Sequence, residues 1–315
     1  MTTQRVASST LHDQAIRYLQ NNLGNLGRLQ EKVSTGRNIN RPSDDPVGLT
    51  RILDLKNTLS FDDRYLRNIN QALSELNTTD SALSDVTNIV QRALELANQG
   101  ANATQNDQNR DAIAGEIDQL INQLVQVANT KVGNVYVFSG VRTSTATYTR
   151  TGNAVTYNGT PPAQAWQRNV EISSRILLPV NVNGQTVFGN VSTVAGPPEA
   201  IAAGSSGLFE TMMELKLNLQ QNDPDQVRAR LDELQTNLGT VLGQQAIVGA
   251  TANRLELTMN RLEGRKTIFS RDYAEIQEVD MAKTITDLQF QENIQQASLG
   301  VTARVLQPSL LNFLR

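Results

Sequence analysis

Asp223-Pro-Asp-Gln-Val-Arg-Ala-Arg-Leu-Asp-Glu-Leu-Gln-Thr-Asn-Leu238 opens the run that decides the fold. Apolar or small residues return at Val227, Leu231, Leu234, Leu238, Val241, Val248, Ala252, Leu255, Met259, Leu262, Phe269, Tyr273 and Ile276, in steps of four and three. Gln245 and Lys266 alone interrupt the series, so the spacing predicts a helix of about 50 residues, roughly 75 Å long, with one apolar stripe. Asp223 followed by Pro224 supplies its start, since the Asp oxygen can accept an orphan backbone N–H and Pro at the first helical position loses no hydrogen bond. Beyond Ile276 the register changes, and the sequence reads as the same helix carrying on to Arg315 with its apolar face rotated. On a helical projection Met281, Leu288, Leu299 and Leu306 fall on one side, and Phe290, Ile294, Ala297, Val301 and Val305 on another. Two apolar sides call for two neighbours. With Gln289, Gln291, Gln295, Gln296 and Gln307 filling much of the rest, the segment reads as a surface completed by other subunits.

The composition suits long helices better than a globular enzyme. Aromatic residues make up 4% of 315 residues and Trp166 is the one tryptophan, so the core is expected to be thin. A formal charge of −3 with scattered Lys and Arg points away from nucleic acid and from an anionic membrane. The absence of cysteine excludes disulfides and thiolate metal sites. Met1 to Gln14 has no apolar core of a cleaved signal, and no run reaches the ~18 residues of a membrane span.

Upstream of that rod the chain supplies its partners. Residues up to about Leu11 are small and polar and read as irregular. Ile16, Leu19, Leu23, Leu26 and Val33 then form a short seam, weakened by Gly24 and Gly27 at about 1 kcal/mol each. Its expected partner is the C-terminal helix, and both ends are expected to be disordered in a free monomer. Ser34 to Gly48 breaks the pattern, with Asp45-Pro46 repeating the helix start seen at Asp223. A second seam runs through Ile52, Leu55, Leu59, Leu66, Ile69, Leu73, Leu76, Leu83, Val90, Leu94 and Ala97, with polar interruptions at Asp62, Asp80 and Thr87. A third helix, through Ile113, Ile117, Leu120, Leu124 and Val127, doubles back on it.

From Val132 the texture turns β-branched and aromatic. Strands are predicted at 135–138, 145–149, 154–157, 170–172, 176–178 and 186–188, with turns at Gly152-Asn153, Asn158-Gly159 and Asn183-Gly184. Trp166 is the expected core anchor of this small module, which the helices do not need for their own packing. Leu208, Met212, Leu215 and Leu219 form a fourth helix. The fold class is therefore mainly α, a long antiparallel bundle or coiled coil made by the two ends of the chain together, with an inserted small β domain. The division is 1–40 with 277–315 as the terminal assembly part, 41–132 with 206–276 as the helical bundle, and 133–205 as the insert.

Chemistry is not legible in this pattern. His12 is the lone histidine, no phosphate-cradling glycine loop occurs, and Asp44-Asp45 reads as a helix cap rather than a metal pair. No catalytic residue, metal, cofactor or small-molecule substrate is expected, and the chain reads as no enzyme.

Ser34-Thr-Gly-Arg-Asn-Ile-Asn-Arg-Pro-Ser-Asp-Asp-Pro46, the stretch Val279-Asp-Met-Ala-Lys-Thr-Ile-Thr-Asp-Leu-Gln289 and the ending Leu310-Leu-Asn-Phe-Leu-Arg315 resemble the flagellin superfamily over the whole chain. The resemblance implies a structural component of the bacterial flagellum, extracellular and exported by the flagellar type III apparatus without a cleaved signal. Ser43-Asp-Asp-Pro-Val47 and Gly133-Asn-Val-Tyr-Val-Phe-Ser-Gly140 resemble the form found at the junction between hook and filament. The ending Leu314-Arg315 resembles the filament subunit, the alternative, and a cytosolic coiled-coil adaptor stands behind both. The implied partners are an upstream hook-associated protein, flagellin, further copies in a ring and an export chaperone on the C-terminal helix. The expected assembly face comprises Ile16, Leu19, Leu23, Leu26, Met281, Ile285, Leu288, Ile294, Leu299, Val301, Val305 and Leu306.

Overall fold

The computed structural model describes residues 2–102, 105–189 and 207–306, with side chains from 13 to 303. It divides into two compact units, residues 1–61 with 264–315, and residues 62–263. The first unit contains α1 (Thr2–Thr35), the beginning of α2 (Pro46–Gly100), the end of α6 (Pro224–Gln277) and α7 (Met281–Leu306). The remainder of α2 and α6 lies in the second unit, together with α3 (Asp107–Ala128), α4 (Gly184–Phe188), α5 (Leu208–Gln220) and six short strands.

The caps read from sequence form as expected. Asp45 Oδ1 accepts from the amides of Val47 and Gly48 at 3.0 and 2.9 Å, and Asp223 Oδ1 accepts from Asp225 and Gln226 at 3.2 and 3.1 Å. The continuous helix from 223 to 315 does not form. It stops at Gln277 and restarts at Met281, because Asp280 turns its carboxylate onto the amide of Lys283 at 3.1 Å and begins a new helix. The register change past Ile276 is therefore a break. At the other end, α1 starts at Thr2 instead of after an irregular polar arm.

In the second unit α6 supplies a buried line of one residue in seven: Val227, Leu234, Val241, Val248, Leu255 and Leu262, none more than 2% exposed. The seam of α2 sits one position earlier than the alternate positions of the sequence reading. Tyr65, Ile69, Ala72, Leu76, Thr79, Leu83, Val86, Val90, Ala93 and Ala97 are buried in steps of four and three. Asp80 and Thr87 are thereby only half-buried, and Thr79 holds its hydroxyl on the Glu75 carbonyl at 2.8 Å. Leu73, Ala82, Ile89 and Leu96 are buried too, so α2 packs over a wide arc, as a helix with several neighbours must. Arg92 bridges it to Glu116 of α3 at 2.6 Å.

Arg110 closes one end of this core. Only 4% exposed, it donates to the carbonyls of Gly100 and Asn102, each at 2.9 Å, and to the Asn222 side chain. It thus satisfies orphan carbonyls at the end of α2 and ties them to the α5–α6 turn, where Asn222 has φ +55°.

Among the described residues the inserted β domain holds three separate antiparallel pairs: β1 (Lys131–Val132) with β2 (Val135–Tyr136), β3 (Tyr148–Thr151) with β4 (Ala154–Tyr157), and β5 (Asn169–Ser173) with β6 (Ile176–Pro179). Gly152, at φ +63°, makes the two-residue turn of the second pair. The expected strand at 186–188 is helical. Asn183 accepts from the Gln185 amide at 2.9 Å and caps α4, so Asn183-Gly184 starts a helix instead of turning a hairpin.

Trp166 is not the anchor; it is half-buried. The core of the insert is an aromatic cluster in which Phe138 meets Phe188 edge-on at 5.1 Å, and Tyr148 lies 5.0 Å from Phe209 of α5 and 5.1 Å from Tyr157. Burial pushes the Tyr157 phenol up to about 12. Because Phe209 and Leu208 belong to the same buried cluster, the insert is part of the helical core, contrary to the expectation that the helices could do without it. A polar clasp docks it further: Arg150 of β3 pairs with Asp118 of α3 and donates to Asn122 at 2.6 Å, while Lys216 of α5 reaches Asp118 at 2.7 Å and Asn153 at 3.1 Å.

Two predictions follow from this packing. Phe188→Ala should lose about 3–5 kcal/mol in urea unfolding and Trp166→Ala clearly less, since only the former opens a closed cavity; equal losses would return Trp166 to the core. The second concerns acid. Burial pushes Asp118 up, but hydrogen bonds from Lys216 and Arg150 more than offset it and hold its carboxyl below the usual range. A carboxyl lowered in the fold contributes stability above its unfolded pKa, near 3.9, and that contribution fades as pH falls through the folded value. Asp118→Asn should therefore flatten the acid end of the stability profile, measured by Tm between about pH 2 and 7.

Candidate functional site

The site suggested by the sequence is the surface of the terminal helices. α1 and α7 lie side by side and antiparallel: Asn22 donates to Ser298 Oγ at 3.1 Å, Ala15 and Leu19 share a groove with Ile294, Ala297 and Val301, and Leu29 lies nearer Asp287 and Gln291. On α1 the partly buried line is Ala15, Leu19, Asn22, Leu26, Leu29 and Val33. It shares Leu19, Leu26 and Val33 with the sequence seam. Ile16, at 41%, and Leu23, at 56%, stay exposed, because the helix turns its seam one residue earlier at every second position.

On α7 the inward line is Thr284, Leu288, Gln291, Gln295, Ser298 and Thr302. Five of these six are polar. The sequence reading sought an apolar stripe and missed them, although their four-three spacing was there to be found. Leu288 faces inward as expected, and Ile294 is half-buried beside the groove. Leu299, expected to face the N-terminal helix, is 51% exposed; the inward place is taken by Gln295 and Ser298. Val301 is 61% exposed, Phe290 67%, and Met281 and Ile285 about two-fifths exposed. The side chains of Val305 and Leu306, like that of His12, lie outside the described residues. Gln295 Oε1 is buried with no hydrogen-bond partner among the described residues, an arrangement that costs about 1–3 kcal/mol.

Where both chain strands break, the backbone ties them together. Asn38 donates its amide to the Gln277 carbonyl at 2.7 Å, Val279 to Gly36 at 3.2 Å, and the Gln277 side chain to the Ile39 carbonyl at 3.1 Å. Gly36 takes φ +67° to make the turn. Asp44 accepts from the Arg41 and Asn40 amides at 2.9 and 3.2 Å, and these bonds, the Arg41 amide first, hold its carboxyl below the usual range. Asp45 is thus the cap of α2, and Asp44 closes the exposed turn before it. Among the described residues no group of three His, Asp or Glu is placed to hold a metal ion, and no described helix is long and apolar enough to cross a membrane. The arrangement offers contact surfaces on α1 and α7.

The family model of the bacterial flagellin N-terminal helical region matches residues 6–143, and that of the C-terminal helical region matches residues 229–314. Flagellar hook-associated protein 3 of Escherichia coli is 26% identical over 305 residues, spanning 93% of this chain and 94% of its own. Flagellin of Listeria monocytogenes is 24% identical over 93% of each. A solved structure of a hook-associated protein from Vibrio parahaemolyticus superposes with a TM-score of 0.63 at 20% identity, over 75% of this chain and all of that one. That of flagellar hook-associated protein-3 from Legionella pneumophila gives 0.59 at 20% identity, over 71% and 98%. These likenesses agree in fold.

With a polar seam and exposed apolar residues, the α1–α7 pair should open readily in an isolated chain. Hydrogen exchange on monomer should find the amides of α1 and α7 exchanging at nearly zero opening free energy while those around Val90 and Val241 are protected. Protection of α1 equal to that of Val241 would show the pair to be self-sufficient.

Proposed function

The chain belongs to the bacterial flagellin family, and from that membership we propose that it is the structural element joining hook to filament, on which flagellin polymerises. The observation that carries the reading is the exposure of Met281, Ile285, Phe290, Leu299 and Val301 on α7 beside Ile16 and Leu23 on α1. Seven large apolar side chains stand in water on two paired helices, with Met281, Ile285 and Leu299 on one side of α7 and Phe290 and Val301 on the other, and offer contacts to other subunits. The near full-length likeness to hook-associated protein 3 favours the junction over the filament itself. On this reading the protein is no enzyme and leaves the cell without a cleaved signal, carried by an export chaperone on α7. It assembles as a ring of copies between an upstream hook-associated protein and flagellin. The terminal part, 1–40 with 277–315, assembles; the bundle, 41–132 with 206–276, and the insert, 133–205, form the body of each subunit. Ile16, Leu19, Leu23, Leu26, Met281, Ile285, Leu288, Ile294, Leu299, Val301, Val305 and Leu306 are the proposed assembly residues, with Leu19, Leu26 and Leu288 acting between α1 and α7 within one subunit.

Val301→Asp tests the reading. Burying a Val is worth about 1.5–3 kcal/mol, and a carboxylate stranded in an apolar interface costs more. The monomer, where Val301 is exposed, should melt as before and be exported normally. Cells should fail to build on the hook and should shed flagellin into the medium. Normal filaments would remove this face from assembly, and purified native chain that polymerises by itself into filaments would make it the filament subunit.

A further inference from the structure

In the first unit, α2 and α6 leave a groove of about 610 Å³ lined by Arg51, Asp54, Leu55 and Thr58 on one side and Phe269, Asp272, Glu275 and Ile276 on the other. Its floor is apolar, through Leu55, Phe269 and Ile276. Three carboxylates stand at its rim against the single lining cation Arg51; Arg271 also reaches Asp272, at 3.6 Å, in an exposed pair of the kind that contributes little. The groove suits an apolar side chain flanked by positive charges.

Such a ridge stands on the same chain. Leu257 is 72% exposed, the most exposed of its large hydrophobics among the described residues, and Arg254 and Arg261, also exposed, flank it at positions three before and four after. Those spacings put all three on one face of α6. Arg254 to Arg261 spans seven residues, as does Phe269 to Ile276, so ridge and groove each extend about 10 Å along a helix axis.

We propose that the Arg254–Leu257–Arg261 ridge of one copy docks in the Asp54–Asp272–Glu275 groove of the next. Leu257 enters between Leu55, Phe269 and Ile276, and the two guanidiniums meet the rim carboxylates. Ridge and groove are different surfaces, so the contact is heterologous: each copy uses its ridge on one neighbour and its groove on another. Contacts of that kind generate rings or helical arrays and not closed pairs. The inference rests on the assembly of copies proposed above and names one contact within it.

The chain has no cysteine, which makes crosslinking decisive. In Leu257→Cys/Glu275→Cys the two thiols sit 18 residues apart on the continuous α6, about 27 Å, far beyond the ~7 Å between Cα atoms that a disulfide tolerates. Any bond is therefore between copies. Mild oxidation of flagella from cells carrying the double variant should give a ladder of dimers, trimers and higher species, and neither single variant should give one. Arg254→Glu/Arg261→Glu should lose the ladder and motility, and adding Asp272→Arg/Glu275→Arg to the same chain should restore both by reversing the pairing. Dimers from Leu257→Cys alone, no ladder in flagella that hold the double variant, or no rescue by the reversed charges would each overturn the contact. Failure of the native chain to reach the flagellum would instead bring down the assembly reading.

Discussion

Every seventh residue of α6 from Val227 to Leu262 is withdrawn from water, and that line is the constraint on which the second unit depends. Six aliphatic side chains at no more than 2% exposure are worth on the order of 10–15 kcal/mol of burial, comparable to the net stability of a whole domain. A line so regular fixes which side of α2, α3 and α5 can face it. Each of those helices adds its own buried row to the same core: Ile69 to Ala97, Ile113 to Ala128, and Leu208 to Leu219. The β insert is recruited through Phe209, which extends the same core from α5 to Tyr148 and Phe188. Arg110 and the Asp118 clasp then fix the ends, where backbone carbonyls and hairpins would otherwise be loose.

The first unit follows the opposite rule. Its helices α1 and α7 meet through Leu19, Asn22, Leu26 and Leu29 on one side and the mostly polar line of Leu288, Gln291, Gln295 and Ser298 on the other, and turn Tyr18, Leu23, Phe290, Leu299 and Val301 outward. Gly24, Gly27 and Gly300 have open space where a side chain would stand, so the helix propensity they forgo, about 1 kcal/mol each relative to Ala, is not recovered by packing within the chain. The same heptad language is used here without the burial that makes it stable.

That contrast decides what could be read from the sequence. Helix existence, the caps at Asp45 and Asp223, the Gly152-Asn153 turn and the pairing of the two ends were legible, because apolar spacing and cap chemistry are local. The break at Asp280 was visible only as a change of register. An Asp can cap a new helix or ride on the surface of an old one, and the outcome was set by the Gly36 and Asn38 backbone, 240 residues away in sequence. The strand reading of Thr186-Val-Phe188 failed because β propensity reports a half-buried surface, which α4 also provides. Alternate positions of the α1 and α2 seams lie one residue earlier than apolar spacing predicts, because Asn22 and Ala72 stand beside the more apolar Leu23 and the larger Leu73. Trp166 is the largest ring, whereas the site is closed by five smaller ones, Phe138, Tyr148, Tyr157, Phe188 and Phe209.

A polar seam between paired helices also has a use that an apolar one lacks. Leu on Leu is satisfied at several registers, whereas Asn22 reaches Ser298 at 3.1 Å and Gln291 at 3.5 Å in one, and polar seam positions fix register at a cost in stability. The α1–α7 pair is thereby given a defined alignment while Leu23, Phe290, Leu299 and Val301 remain outside. Such a pair is weak alone, because it lacks the burial that the second unit obtains from its own α6.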